Sequence, residues 1–211
     1  MPPMGVYREQ VFPRIMNRLM DDEENRAARE RVCAPLAGEV VEIGFGTGLN
    51  LPHLPPAVTS LRAVEPLGVG VALAADRRRA SSVPVEVGGL DGQSLPFADA
   101  SADAVLCTWT LCSIPDPVAA IREVRRVLRP GGALHFVEHG RAPDEGVRRW
   151  QDRCNPLQRR VACGCNLNRD IPAVIAAGGL RVDELSTYYV RGVPKALGAT
   201  FEGTAVAAAE G

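Results

Sequence analysis

The segment VVEIGFGTGLN, residues 40–50, sets glycines at 44, 46 and 48 directly after a short apolar run. A glycine-rich turn between a strand and a helix lets the backbone approach a ligand closely and aims free amides at it. The turn needs a strand to carry the chain into a crevice and a helix to carry it away. One segment therefore already predicts an α/β fold built around a nucleotide-type site.

The rest of the chain agrees. From Glu39 onward apolar strand candidates at 39–43, 61–65, 83–87, 103–108 and 133–138 alternate with helical patterns. In DPVAAIREVRRVLRPGG, Asp116 is a natural cap and Pro117 suits the first turn. Val118, Ile121, Val124 and Leu128 share a face, and Pro130 with Gly131 stops the helix. This alternation predicts a parallel sheet covered on both faces, within a single domain over residues 1–211. Residues 1–36 read as an N-terminal helical cap, helical from 6 to 36, with Val11, Ile15, Leu19 and Met20 on one face. Residues 37–139 form the core, and 140–178 a helical cap insertion closing with a helix at about 170–177. Within 179–211, LRVDELSTYYV and ATFEGTAVA read as a terminal antiparallel pair.

Composition narrows the function. With 24 basic against 25 acidic side chains, the chain lacks the field needed to hold a polyanion, so no nucleic-acid partner is expected. MPPMGVYREQ lacks the charged start and apolar core of a signal peptide, and no apolar run approaches the roughly 20 residues that span a bilayer. A cytoplasmic protein without a membrane anchor is the expectation. Its six cysteines are then reduced thiols. Cys163 and Cys165 form a C-x-C with Cys154 upstream, but no second ligand pair stands at metal-site spacing, so no metal is expected.

Three cofactor readings compete for the glycines. A phosphate-binding P-loop needs Lys-Ser/Thr where Leu49-Asn50 stands, and the dinucleotide fingerprint needs G-x-G-x-x-G where this chain has G-x-G-x-G. Glu42 lies in the strand two residues before Gly44, where a carboxylate is costly without a partner. A cofactor ending in an ammonium group supplies that partner, directly or through water, whereas a pyrophosphate is repelled. Glu65 closes the next strand and suits two ribose hydroxyls. Asp91, in the loop after the third strand, is within reach of an adenine amino group. The ordered set predicts S-adenosyl-L-methionine.

The stretch from VVEIGFGTG through LPFADASADAVLCTWTLCSIPDPVAAIREVRRVLRPGGALHFVEHGR resembles class I S-adenosylmethionine-dependent methyltransferases of the ubiquinone/menaquinone-like type. CTWTLCSI, RVLRPGGALHFVEHG and GCNLNRD resemble the narrower methyltransferase-like-seven family, whose vertebrate members methylate alkyl thiols. The resemblance implies a doubly wound Rossmann-like seven-stranded sheet, its last strand antiparallel between its neighbours. It implies that Glu42 and Gly44 to Gly48, with Phe45, Gly46 and Asn50, hold the methionine moiety. Glu65 with Pro66 would hold the ribose, and Asp91 with the Gly92 amide the adenine. Thr108 and Trp109 would lie below the cofactor. The chain departs from the family in two ways. It lacks the apolar anchor of the vertebrate members, so membrane residence is not inherited, and Phe45 replaces a small residue or cysteine.

Methyl transfer from a sulfonium asks the protein mainly to align two reactants and exclude water. A thiol acceptor, with a pKa near 8.5, needs only modest help to ionise. His139, after the fifth strand, is the expected base, the alternative being a structural histidine bonded to a backbone carbonyl. Glu138 beside it either orients the imidazole or points away. Tyr7, Phe12, Cys112, Cys165 and Asn166 are the expected acceptor contacts, with Met4, Met16 and Met20 in a lid. Arg169 and Asp170 of GCNLNRD would pin the insertion over the site. The expected function is S-methylation of a small thiol. The alternatives are O-, N- or C-methylation of an apolar metabolite, quinone or lipid head group, a nicotinamide-dependent oxidoreductase, or a cofactor-binding protein without catalysis.

Overall fold

The computed structural model describes residues 3–89 and 91–207. The chain begins with α1 (Pro3–Val6), a π-helical turn (Tyr7–Val11), α2 (Phe12–Leu19) and α3 (Glu23–Cys33). It continues through β1 (Gly38–Ile43), β2 (Val58–Val64), α4 (Gly68–Leu73), α5 (Ala75–Ala80), β3 (Val85–Gly89) and β4 (Ala102–Thr108). Then follow α6 (Pro117–Val127), β5 (Leu128–His139), α7 (Glu145–Val161), α8 (Ile171–Ala177), β6 (Leu180–Tyr189), α9 (Lys195–Gly198) and β7 (Ala199–Ala207).

The strands form one seven-stranded sheet in the order β3-β2-β1-β4-β5-β7-β6. β1 through β5 pair in parallel, and β7 runs antiparallel between β5 and β6. This is the sheet that the resemblance to class I methyltransferases implies. The reversal at β1/β4 sends the chain to opposite sides of the sheet, which opens a crevice at the carboxyl ends of those strands.

Side-chain alternation along the strands builds two cores. Val41, Ile43, Val105, Cys107, Leu134 and Phe136 face one way and pack with Ile121, Val124, Ile171 and Ile175 of α6 and α8. Val40, Ala104, Leu106 and Val137 face the other way, against Ala28, Val32, Cys33 and Leu36 of α3 and the turn after it. This parity decides where each site residue at a strand end must point.

The N-terminal segment differs from the expected single helix over 6–36. It breaks at Met20, and Asp22 starts a new helix by accepting a hydrogen bond from the Asn25 amide at 3.1 Å. α3 is thereby freed to dock on the sheet independently of α2. β5 starts at Leu128, earlier than the expected 133, because the chain enters the sheet as soon as α6 ends. Among the described residues no helix is long and apolar enough to cross a membrane.

Candidate active site

A cavity of about 490 Å³ lies over the carboxyl ends of β1, β2, β4 and β5. One end is lined by the glycine loop and the carboxylate of Glu65. The other end is lined by Trp109, Cys112, His139 and Cys165, while Phe12, Met16 and Met20 of the N-terminal segment roof the cavity. The Met4 side chain lies outside the described residues.

At the first end, Gly44 and Gly46 hold φ of 76° and 56°, the left-handed region that favours glycine. A Cβ on Gly44 would collide with the Thr110 side chain, so glycine there lets the loops after β1 and β4 touch. A Cβ on Gly46 would meet nothing closer than 3.9 Å, and its backbone stands open to the cavity. Gly48 does not belong to the wall as expected. A side chain there would press on Phe45, Ala74 and Leu51 at 3.1–3.2 Å, so this glycine serves packing behind the loop. Phe45 is buried among the same residues and presents one edge to the cavity.

Glu42 also stands one layer further back than expected. It is buried, it is not part of the cavity wall, and its Oε1 accepts a 2.7 Å hydrogen bond from Asn50 Nδ2. Asn50 Nδ2 also donates to Thr108 Oγ1 at 3.0 Å, and Asn50 Oδ1 accepts from Arg29 at 2.6 Å. Glu42 therefore orients Asn50, and Asn50, Thr108 and Arg29 face the cavity. Burial pushes the Glu42 carboxyl up to about 7, against the pull of the Asn50 hydrogen bond and the Arg29 charge. Burial likewise lowers the Arg29 guanidinium to about 10. Arg29 stacks 4.6 Å over the Trp109 ring. Among the described residues, Glu42 Oε2, Arg29 Nε and Trp109 Nε1 are buried without a hydrogen-bond partner.

Glu65 is in the wall. Its two oxygens accept from the Gly46 amide at 2.7 Å and the Leu67 amide at 2.9 Å, so it also clamps the glycine loop. Burial raises its pKa while those amides pull the other way. Asp91 borders the cavity beside Pro66 and Gly92, but its carboxylate is turned into its own loop. It accepts from the Gln93 amide at 2.8 Å and from Gln93 Nε2 at 3.0 Å, which holds it below its ordinary pKa.

At the second end, parity separates Glu138 from His139. Glu138 follows Phe136 to the α6 side and is fully buried. It accepts the amides of Thr110, Leu111 and Cys112 at 2.8, 2.9 and 3.2 Å. It thus shapes the loop after β4 and leaves the imidazole alone. Burial pushes its carboxyl to about 7. His139 faces the cavity with its ring centroid 6.5 Å from that of Trp109. Trp109 has a φ of 49°, a strained backbone that turns the β4 loop sharply over the site. The Cys112 and Cys165 sulfurs lie 3.6 Å apart. The two thiols share one hydrogen bond, and the pairing draws the Cys165 pKa below the ordinary thiol range and pushes Cys112 up.

Two expected acceptor contacts are elsewhere. Tyr7 donates to the Val161 carbonyl at 2.8 Å, outside the wall, and latches the N-terminal segment to the end of α7. Asn166 donates to the Cys112 and Gly164 carbonyls at 3.0 and 2.8 Å, so it braces the loop that carries Cys165. Arg169 pins the insertion as expected, donating to the carbonyls of Leu111 and Ile114. Asp170 caps α8 by accepting from the Ala173 amide.

Residues 41–136 match the family model described as a methyltransferase domain. Human thiol S-methyltransferase TMT1B is 37% identical over 136 residues, which are 62% of this chain and 55% of that protein. Demethylmenaquinone methyltransferase of Clavibacter sepedonicus is 33% identical over 133 residues, 63% of this chain and 54% of that protein. The chain spans about half the length of these curated relatives. A SAM-dependent methyltransferase from Aquifex aeolicus shares the fold with a TM-score of 0.64 at 17% identity, over 92% of this chain and 97% of that one.

The matched residues 41–136 supply the glycine loop, Glu65, Trp109 and Cys112. Arg29, Phe12, His139 and Cys165 come from flanking segments. Arg29 and the loop-shaping role of Glu138 are the two site features absent from the sequence expectations. Arg29 had a visible signal: it shares a helix face with Ala28, Val32 and Cys33, where an arginine needs a buried partner.

Proposed function

We propose that the chain is an S-adenosylmethionine-dependent methyltransferase that methylates the sulfur of a small thiol. The observation that carries this reading is a single cavity with a carboxylate- and amide-lined end and a sulfur- and imidazole-lined end. The residues fit the cofactor. Arg29 Nε and Trp109 Nε1 are buried donors in the wall that still need an acceptor, which suits a carboxylate. Each Glu65 oxygen accepts one amide and keeps a lone pair for a ribose hydroxyl. Gly46 leaves its backbone clear for close approach.

When bound, the cofactor supplies an electrophilic methyl group on a sulfonium. Arg29 and Trp109 would hold its amino-acid end, with Asn50 held ready by Glu42, and Glu65 its ribose. Phe12, Met16 and Met20 line the cavity and help to keep water from it. His139 assists the loss of the acceptor's proton. The similarity to thiol S-methyltransferases favours sulfur as the nucleophile, and the apolar roof suits a small, largely apolar thiol. The resemblance to demethylmenaquinone methyltransferases supports a quinone as the second acceptor to test.

The test is incubation with isotope-labelled S-adenosylmethionine and a panel of thiols, phenols, amines and quinones. Mass spectrometry then locates the added methyl. A labelled thioether is the expected product, and labelling confined to carbon or oxygen would overturn the thiol reading. Glu65→Ala is expected to weaken S-adenosylhomocysteine binding roughly ten- to hundredfold by titration calorimetry. Unchanged affinity in a folded variant would remove Glu65 from the ribose site.

A further inference from the structure

Three groups at the acceptor end converge from distant parts of the chain: Cys112 after β4, His139 at the end of β5 and Cys165 after α7. One ligand atom from each lies within 4.8 Å of the other two. The sulfurs are 3.6 Å apart, far longer than the roughly 2.05 Å of a disulfide. Two thiolates each about 2.3 Å from a zinc ion, at a tetrahedral angle, lie about 3.8 Å apart. All three residues line the cavity, so a site they share opens toward whatever occupies it. The surroundings fix the ligands. The Cys112 amide donates to Glu138 at 3.2 Å, its carbonyl accepts from the Asn166 amide at 2.9 Å, and the Cys165 amide donates to the Ala162 carbonyl at 3.1 Å.

We propose that Cys112, His139 and Cys165 bind one zinc-class divalent ion whose fourth position faces the cavity and takes the sulfur of the acceptor. Two thiolates and an imidazole select a soft or borderline ion over magnesium or calcium. Three protein ligands with one open position are the pattern of a working metal site, in contrast to a closed structural one. The role given to the ion rests on the thiol-methylation reading, and His139 becomes a ligand instead of taking the proton itself. The acceptor's S–H proton passes to water as its sulfur binds the ion. A sulfur lone pair then forms the new S–C bond while the donor's S–C bond breaks, leaving its electron pair on the donor sulfur. The neutral thioether is a weak ligand and departs. Sequence spacing argued against a metal because the ligands stand at 112, 139 and 165, with no local motif to join them.

The test is anaerobic titration of the reduced, chelator-stripped protein with cobalt(II). One equivalent should bind with a thiolate-to-cobalt charge-transfer band, and added 2-mercaptoethanol should perturb the visible bands. Cys165→Ser and His139→Gln, checked for folding by melting temperature, should each weaken binding at least tenfold, while Cys163→Ser keeps the band. Absence of the band, its survival in Cys112→Ser and Cys165→Ser, or a Cys112–Cys165 disulfide in the reduced protein would overturn the site. Thiol methylation at full rate by the metal-free protein would overturn the ion's role and leave the proposed function standing. A cobalt site in a protein that methylates no thiol would keep the metal and overturn the thiol reading.

Discussion

Glu42 shows what a buried carboxylate costs and what it does. Burial raises its pKa from 4.5 to about 7, so the folded protein holds a proton that the unfolded chain has released across that interval. Below about pH 4.5 both states are protonated and the group is neutral to stability. As pH rises through the window stability falls, and above about 7 the folded state carries the full penalty, up to about 3 kcal/mol. Glu42→Gln keeps an oxygen for Asn50 and removes the charge. Its melting temperature should exceed that of the parent at pH 8, with the difference fading toward pH 4.5. A variant less stable than the parent at pH 8 would mean that the Arg29 charge outweighs burial. The same substitution should weaken S-adenosylhomocysteine binding, because the buried Arg29 loses the favourable charge of Glu42.

At the scale of elements, the loop after β4 is held by a carboxylate from the neighbouring strand. Glu138→Ala strips the acceptor from three amides in a buried setting, at about 1–3 kcal/mol for each group left unpaired. The expected loss in denaturant unfolding is at least about 3 kcal/mol, and binding at both ends of the cavity should suffer because Trp109 and Cys112 ride on that loop. A small stability loss with intact binding would show that the loop is held by other contacts. The strands themselves are legible in the sequence. Their apolar runs are bounded by glycine and proline, and the terminal pair is found at 180–189 and 199–207, where its alternation put it. Glu138 is not legible in the same way. A carboxylate beside a histidine reads as a dyad until strand parity sends the two to opposite faces. Arg29 is easily passed over because DDEENRAARER looks like a solvated charge run, and only its place on the apolar face with Ala28, Val32 and Cys33 betrays it. Asn166 and Tyr7 face the right region of the fold, but only three-dimensional contacts reveal that their polar groups are used on backbone carbonyls.

For the molecule as a whole, the break at Met20 separates the roof from the arginine. Removing residues 1–20 deletes Phe12, Met16 and Met20 and leaves α3 with its Asp22 cap and Arg29 in place. The truncated protein should still fold and bind S-adenosylhomocysteine within about threefold of the parent. Its KM for the acceptor should rise more than tenfold, since each apolar side chain lost from the roof is worth about 1 kcal/mol or more. Equal losses at both ends would show that α2 supports the entire cavity.

The Tyr7–Val161 latch joins two parts of the chain that lie on either side of the matched residues, and side chains of both line the cavity. Mutation can therefore act on them while the cofactor machinery descends unchanged. A lineage could trade one acceptor for another through a few changes in α2 or α7, and its shared ancestry would still be read from the glycine loop alone. Kinship across residues 41–136 is inherited as chemistry; the choice of partner for that chemistry is inherited separately.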